Sequence, residues 1–467
     1  MFARLVISFA VLLVSLPLSQ AQTSEDGDPL ESYLAYQGEN FLIEGVKLVD
    51  VGNGTAGDTY DVLLLNGWIA RVAPAGSLEA SEGTIVVAGH GKTLIPGLVG
   101  MHNHLHMPGA PSMAAEAARL YLASGVTTIQ TAGSADPIGE LALQRDIEAG
   151  LAPGPRIASS APYITGPGGN GPMEKPLDEL AARRFVDEWA GRGVSTIKLY
   201  RHTDPVIAEI IIEQAHKRGL RVAGHLCSIT YEEAARMGID SIEHGLHPAS
   251  DFVAEKSKGV CIPSVDAKAE LAVNDPRLDE LISILVEKNV ALTSTLAIQE
   301  SRFPQRPQAD DRVLDLLAPH LAEASRQRTE AMAGMDVTPA ISEAYWGLLL
   351  SFERRFVKAG GTLLAGPDTG RHVLPGLGDQ RNFELLREAG FSTQDVLKIM
   401  SQNGADALGL GKEIGGVQTG RRAELVLLNG NLEADPSIIR EVVVVFNGGR
   451  AYDPARLIMG LEGMIGK

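Results

Sequence analysis

Cysteine is nearly missing from this chain, with two residues in 467, Cys227 and Cys261. Two thiols exclude a multi-disulfide scaffold and a four-cysteine zinc site. Positive charge is also short. Lys and Arg number 41 against 58 Asp and Glu, a formal net charge of -17. That balance excludes nucleic acid as a partner, because phosphate binding needs a surplus of cations. No internal repeat or low-complexity tract is visible. Long apolar runs are scarce too. Residues 5–18 form the longest, broken by Ser8, Ser15 and Pro17, and fall short of the ~20 apolar residues of a spanning helix. With Arg4 before the run and Ser19-Gln20-Ala21 after it, the segment reads as a secretory signal peptide cut near Ala21. The mature protein is therefore expected to be exported, periplasmic or secreted, and soluble, with no stable membrane span.

Glycine is plentiful, at 51 residues, while 45% of the chain is hydrophobic. That combination suits many strand-to-helix turns in a globular fold better than disorder. Strand-like runs at 41–51, 59–65, 68–73 and 84–88 are separated by turn signals such as Asn53-Gly54 and Asn66-Gly67, and similar runs return at 424–428 and 441–446. Between them, short apolar strands at 93–101, 127–130, 156–159, 196–200, 221–225, 241–244, 291–295 and 362–366 alternate with helical patterns such as 113–123, 177–192, 205–218 and 231–237. Eight βα units favour an α/β fold of the closed (β/α)8 TIM barrel type over an open doubly wound sheet, and no G-x-G-x-x-G opens the first turn. The expected organisation is a signal peptide (1–21), a small composite β-sandwich built from both chain ends (22–91 and 412–467) and a barrel (92–411). A charged helical insertion at about 300–339 is longer than a connector should be.

His102 and His104 end the first barrel strand. Residues i and i+2 of a strand point the same way, so both imidazoles can face the barrel mouth, where such folds keep their active sites. An H-x-H is weak alone. Its weight comes from Lys198, His225, His244 and Asp368, which fall at or just after the ends of the fourth, fifth, sixth and eighth strands. Five strand ends thus offer ligand-competent groups at one rim. Glu243 alternates to the face opposite His244 and is expected to be structural. Tyr163, Tyr200, Arg201, Arg371 and His372 lie in βα loops expected to line the pocket and contact a small-molecule substrate. His106, His202 and His247 are expected in loops or against substrate.

The set resembles the amidohydrolase superfamily, in its prolidase and imidazolonepropionase-like subgroup. The likeness rests on His102-Asn103-His104, Ile197-Lys198, Glu243-His244-Gly245, Gly366-Pro367-Asp368 and the closing run at 415–428 (GGVQTGRRAELVLL). The chain departs from the family pattern at Gly100, Glu424 and Pro367, none of which removes a ligand. The resemblance implies two divalent metal ions, zinc first, held by His102, His104, His225, His244 and Asp368 and bridged by an N6-carboxylated Lys198. It implies an amidase or dipeptidase-like enzyme that cleaves an amide or peptide-type C–N bond with a hydroxide bridging the ions, Asp368 being the general acid and base. The alternatives on the same barrel are a cyclic amide, lactone or deaminase-type hydrolase, and a non-catalytic binding protein. The sequence leaves substrate and oligomeric state open.

Overall fold

A computed structural model describes residues 28–49, 59–108, 110, 113–169, 173–307, 311–370 and 372–467. The expected signal peptide, the Asn53-Gly54 turn and Arg371 lie outside the described residues.

Strands from both ends of the chain build one nine-stranded sheet. Its path runs Leu34–Tyr36, Arg450–Tyr452, Val442–Asn447, Leu425–Leu428, Thr93–Pro96, Phe41–Leu48, Thr59–Leu65 and Trp68–Pro74, with Ile85–Ala88 also paired to Phe41–Leu48. Alternate positions carry its core: Phe41 and Ile43, Val62 and Leu64, Leu425 and Leu427, Val444 and Phe446 join one buried cluster. Period-two alternation puts these side chains on a common face. The sheet curls, so that the Phe41 and Phe446 rings meet edge-on at 5.3 Å. Asn66 and Gly67 both hold positive φ, 50° and 78°, as a two-residue hairpin turn between paired Leu65 and Trp68 requires.

The middle of the chain is α/β with parallel strands. Leu98–Asn103, Val126–Thr131 and Arg156–Ala158 form a three-stranded sheet, and Ser160–Ile164, Thr196–Leu199, Arg221–Gly224, Ser241–Glu243, Ala291–Ser294 and Leu363–Ala365 form a six-stranded one. The single closed ladder expected of a barrel is not formed among the described residues. The ladder breaks at Ser159, and Leu363–Ala365 does not pair with Leu98–Asn103. Across that second gap Asp368 N donates to His102 O at 3.0 Å. A Cβ on Gly366 would stand 2.4 Å from the His102 nitrogen, so only glycine allows the two backbones this close. The strand expected over 93–101 is two strands, Thr93–Pro96 in the antiparallel sheet and Leu98–Asn103 in the parallel one, changing sheets at Gly97.

Helices return the chain between successive parallel strands, except at Ser159, where Arg156–Ala158 runs directly into Ser160–Ile164. Three of them, Pro137–Glu148, Pro205–Lys217 and Pro276–Glu287, start with an Asp-Pro pair whose carboxylate accepts from a first-turn N–H. The Asp caps free amides, and the Pro ring presets φ at a position that needs no donor. The insertion is helical, Asp311–Leu316 and Pro319–Ala333, followed by a 3-10 turn Pro339–Ile341. The C-terminal segment fastens it, through Ala318 N to Ile465 O (2.8 Å) and Ile465 N to Leu316 O (3.0 Å). Among the described residues no helix is long and apolar enough to cross a membrane.

Candidate metal centre

One cavity of about 570 Å³ opens at the C-terminal ends of the parallel strands, and His102, His104, Lys198, His225, His244 and Asp368 all line it. Each arrives from a strand end. His102 is the penultimate residue of Leu98–Asn103 and His104 follows that strand. Lys198 sits in Thr196–Leu199, and His225 and His244 come directly after Arg221–Gly224 and Ser241–Glu243. Asp368 is three residues past Leu363–Ala365 and holds φ at 52°, a left-handed conformation costly for a side-chain-bearing residue.

Asp368 is the hub. Its Oδ1 lies 3.1 Å from His104 Nε2 and 3.5 Å from His102 Nε2, and its Oδ2 lies 3.6 Å from His244 Nδ1. Ligand atoms of His102, His244 and Asp368 fall within 4.8 Å of one another. The His225 and His244 rings stand 4.4 Å apart. Burial depresses His104 to about 4 and His225 to about 3, so both are neutral at pH 7, the form that ligates metal. Burial alone would raise Asp368, but His102, His104 and His244 around it outweigh that and hold it well below the usual carboxylate range. Burial pushes the Lys198 amine down.

Two of these atoms have unmet needs. Lys198 Nζ and His244 Nε2 are buried with no hydrogen-bond partner among the described residues. Leaving such groups unpaired costs about 1–3 kcal/mol each, a cost that ligation removes for His244.

The sequence reading placed Glu243 away from the site, and the structure corrects this. Its carboxylate bonds His102 Nδ1 and lies 3.9 Å from Lys198 Nζ. The reason is local. His244 holds φ at 71°, which breaks strand alternation and lets neighbours 243 and 244 both reach the ligand cluster, Glu243 from behind His102. Burial would raise Glu243, but Lys198 and His102 outweigh it and bring the carboxyl down to about 2. Carboxylate-to-imidazole contacts of this kind orient ligating histidines. Two further supports carried no sequence signal. Thr295 Oγ1 meets His244 Nδ1 at 2.8 Å, and the Tyr121 hydroxyl bonds both the N–H and the C=O of His104.

The expected substrate contacts divide. Tyr163 and Tyr200 line the cavity. Arg201 lines an adjoining cavity with Cys227 and His247, one that shares Tyr200, His225 and Arg302 with the first. His372 is turned away, lining a third cavity with its Nδ1 2.9 Å from Ser325 Oγ, because the insertion's Pro319–Ala333 helix supplies that partner. His106 lines the metal-site cavity. Arg302, which the sequence did not single out, lines both the metal-site cavity and the Arg201 cavity. Cys227, two residues past His225, is joined to Cys261 by a disulfide.

Residues 93–314 and 376–452 match the model of the amidohydrolase family. The chain belongs to that family of hydrolases. As an amidohydrolase it is similar along nearly its whole length to solved structures. A prolidase candidate from Bifidobacterium longum is 25% identical, with 88% of this chain and 94% of that one covered and a TM-score of 0.65. Bottromycin amidohydrolase is 21% identical, with 93% and 92% covered and a TM-score of 0.68. A dihydroorotase from Trichlorobacter lovleyi (strain ATCC BAA-1151 / DSM 17278 / SZ) is 37% identical over 70 residues. That match spans 15% of this chain and 16% of the dihydroorotase.

Proposed function

We propose that this amidohydrolase is an exported, metal-dependent enzyme that hydrolyses an amide or peptide-type C–N bond, on a barrel made by the two parallel sheets together. The observation that carries this reading is the convergence of six ligand-competent side chains, from five separate strand ends, in one cavity. The donor set fits divalent metal, with neutral imidazoles at His104 and His225, an ionised Asp368 and an orphaned His244 Nε2. His102, His104, His225, His244 and Asp368 would hold two ions, zinc first, since histidine and carboxylate suit it. Lys198 joins them as a carbamate. Once deprotonated, its Nζ adds to carbon dioxide, a C–N bond forms and one proton leaves, which turns an orphaned amine into an anionic ligand.

When bound, such ions polarise a carbonyl and lower the pKa of water from 15.7 to roughly 7. The chain's own residues do the rest. Asp368 accepts a proton from the attacking water at Oδ and passes it to the leaving nitrogen, which would otherwise depart as an unstable anion. Glu243 fixes the His102 ring by holding Nδ1. Away from the histidines the cavity wall includes Met107, Pro108, Met173 and Ile298, with Arg302 also on the lining. An apolar acyl group beside a carboxylate, as in an N-acyl amino acid or a dipeptide, matches that wall. The Cys227–Cys261 disulfide supports export, because structural disulfides persist in oxidising compartments.

The test is zinc-loaded protein assayed on dipeptides, N-acyl amino acids, cyclic amides and lactones, with metal stoichiometry measured. Turnover on C–N substrates that falls at least a thousandfold in Asp368→Asn and His225→Ala is expected. A protein that binds no metal, or full activity in either variant, overturns the reading. The tight grouping of His102, His244 and Asp368 also favours a one-metal reading, which Lys198→Ala separates. Loss of one of two ions in that variant supports the bridged pair.

A further inference from the structure

We propose that Glu140, His106 and Tyr163 form a positioning relay that sets the proton arrangement of His104 and so prepares its Nε2 to hold a cation. The inference rests on His104 being a metal ligand, as proposed above. The geometry is a chain of contacts leading away from the site. The Tyr163 hydroxyl lies 3.2 Å from His104 Nδ1 and 3.2 Å from His106 Nε2. On its far side, His106 Nδ1 lies 3.6 Å from Glu140 Oε1. That last gap is an ion-pair contact rather than a hydrogen bond. No hydrogen-bond partner for His106 Nδ1 exists among the described residues, so the Glu140 carboxylate is the charge it faces. Glu140 is 2% exposed, in the first turn of Pro137–Glu148, and does not line the cavity.

The place for Tyr163 is built. A Cβ on Gly133 would lie 2.3 Å from the Tyr163 ring, and Gly133 holds φ at 93°. Glycine there lets the ring approach the backbone closely, while Tyr163 comes in at the end of Ser160–Ile164.

The direction of every proton follows from the acidic end. A carboxylate only accepts, so the nitrogen of His106 that faces Glu140 keeps its hydrogen, and Nε2 carries the lone pair. Tyr163 therefore donates its hydroxyl hydrogen to His106 Nε2. Its oxygen is then left to accept, and His104 Nδ1 donates to it. His104 Nε2 is thereby a lone pair, pointed at Asp368 Oδ1 from 3.1 Å. Two acceptors face each other at that distance, and a cation between them resolves the conflict. His102 reaches the same end by a shorter route, with Glu243 directly on its Nδ1. Two neighbouring histidines are thus each set by a buried carboxylate, one at first hand and one through two intermediates.

Zinc affinity, measured by competition with a chromogenic chelator, and the visible spectrum of the cobalt-substituted protein test this. Tyr163→Phe should weaken metal binding about 10–100-fold, the usual effect of removing a group that orients a ligand. Glu140→Gln, which touches neither metal nor cavity, should produce a comparable loss and the same change in the cobalt spectrum. The double variant should lose no more than Tyr163→Phe alone, since residues in one chain are coupled. Zinc affinity unchanged in Glu140→Gln, or losses that add in the double variant, overturns the relay. Tyr163→Phe with a raised KM and unchanged metal affinity also overturns it, and makes Tyr163 a substrate contact. Wild-type protein that binds no metal fails the metal reading itself. Wild type that binds normally beside indifferent variants fails only the relay.

Discussion

Arg302 follows the short helix Leu296–Glu300, in a stretch without periodicity, and no sequence pattern marks it. His102 and His104 were legible because their spacing matches the two-residue period of a strand, a local rule. Glu243 was not, because the positive φ of His244 breaks that rule where the chemistry begins. The same limit applies to Arg302, whose place on the cavity wall depends on where an irregular loop folds back. If Arg302 meets the substrate carboxylate, Arg302→Met should raise KM for an N-acyl amino acid about 10–100-fold, the range of a lost charge-assisted hydrogen bond. The matching carboxamide should be hydrolysed equally well by variant and wild type. Steady-state kinetics on the two compounds decides it, and equal losses on both would remove Arg302 from carboxylate recognition.

At the scale of elements, alternation of strands and helices was legible because each βα unit writes its own apolar period and turn residues. Pairing between distant segments was not. Nothing near 311–333 announces that residues 463–465 will bond to it, and nothing near Gly97 announces a change of sheet. Cys227 and Cys261 were counted in the sequence but not paired, since contact across 34 residues depends on the loop after Ser241–Glu243. This disulfide ties the segment after His225 to that loop, and it closes enough chain to matter. On the chain-entropy account, a loop of that length restricts the unfolded state by about 4 kcal/mol. The double variant Cys227→Ser/Cys261→Ser should lose about that much in denaturant unfolding, and a reductant should have no effect on it. In wild type the reductant should lower stability and, because Cys227 is two residues from His225, zinc affinity as well. A wild type indifferent to reductant would show the bridge to be absent in solution.

At the scale of the whole molecule, the acid balance of the chain hides buried carboxyls whose titration is pushed towards neutral pH, Glu353 furthest. Glu353 is 2% exposed on Glu343–Lys358, and its Oε2 has no hydrogen-bond partner among the described residues. Gly245, next to His244, leaves room for it; a Cβ there would come 2.6 Å from Glu353 Oε1. Burial raises this carboxyl from 4.5 to about 8, with a hydrogen bond from Ser294 opposing the rise. The folded state therefore holds a proton between pH 4.5 and 8 that the unfolded chain has released. Stability from this group is fully present below pH 4.5 and is lost as pH rises through 8. Lys268 acts in the opposite sense at higher pH. Burial lowers it from 10.5 to about 7, so its effect is to raise stability as pH climbs from 7 to 10.5. Glu353→Gln keeps the shape and removes the proton, which separates the two effects. Its melting temperature relative to wild type should climb by about 2–4 °C from pH 5 to pH 8 and stay level above that. Calorimetry of metal-free protein at four or five pH values measures the difference directly. A gap that does not change with pH would mean Glu353 is ionised in the fold, and the space beside Gly245 would then have to hold a partner for its charge.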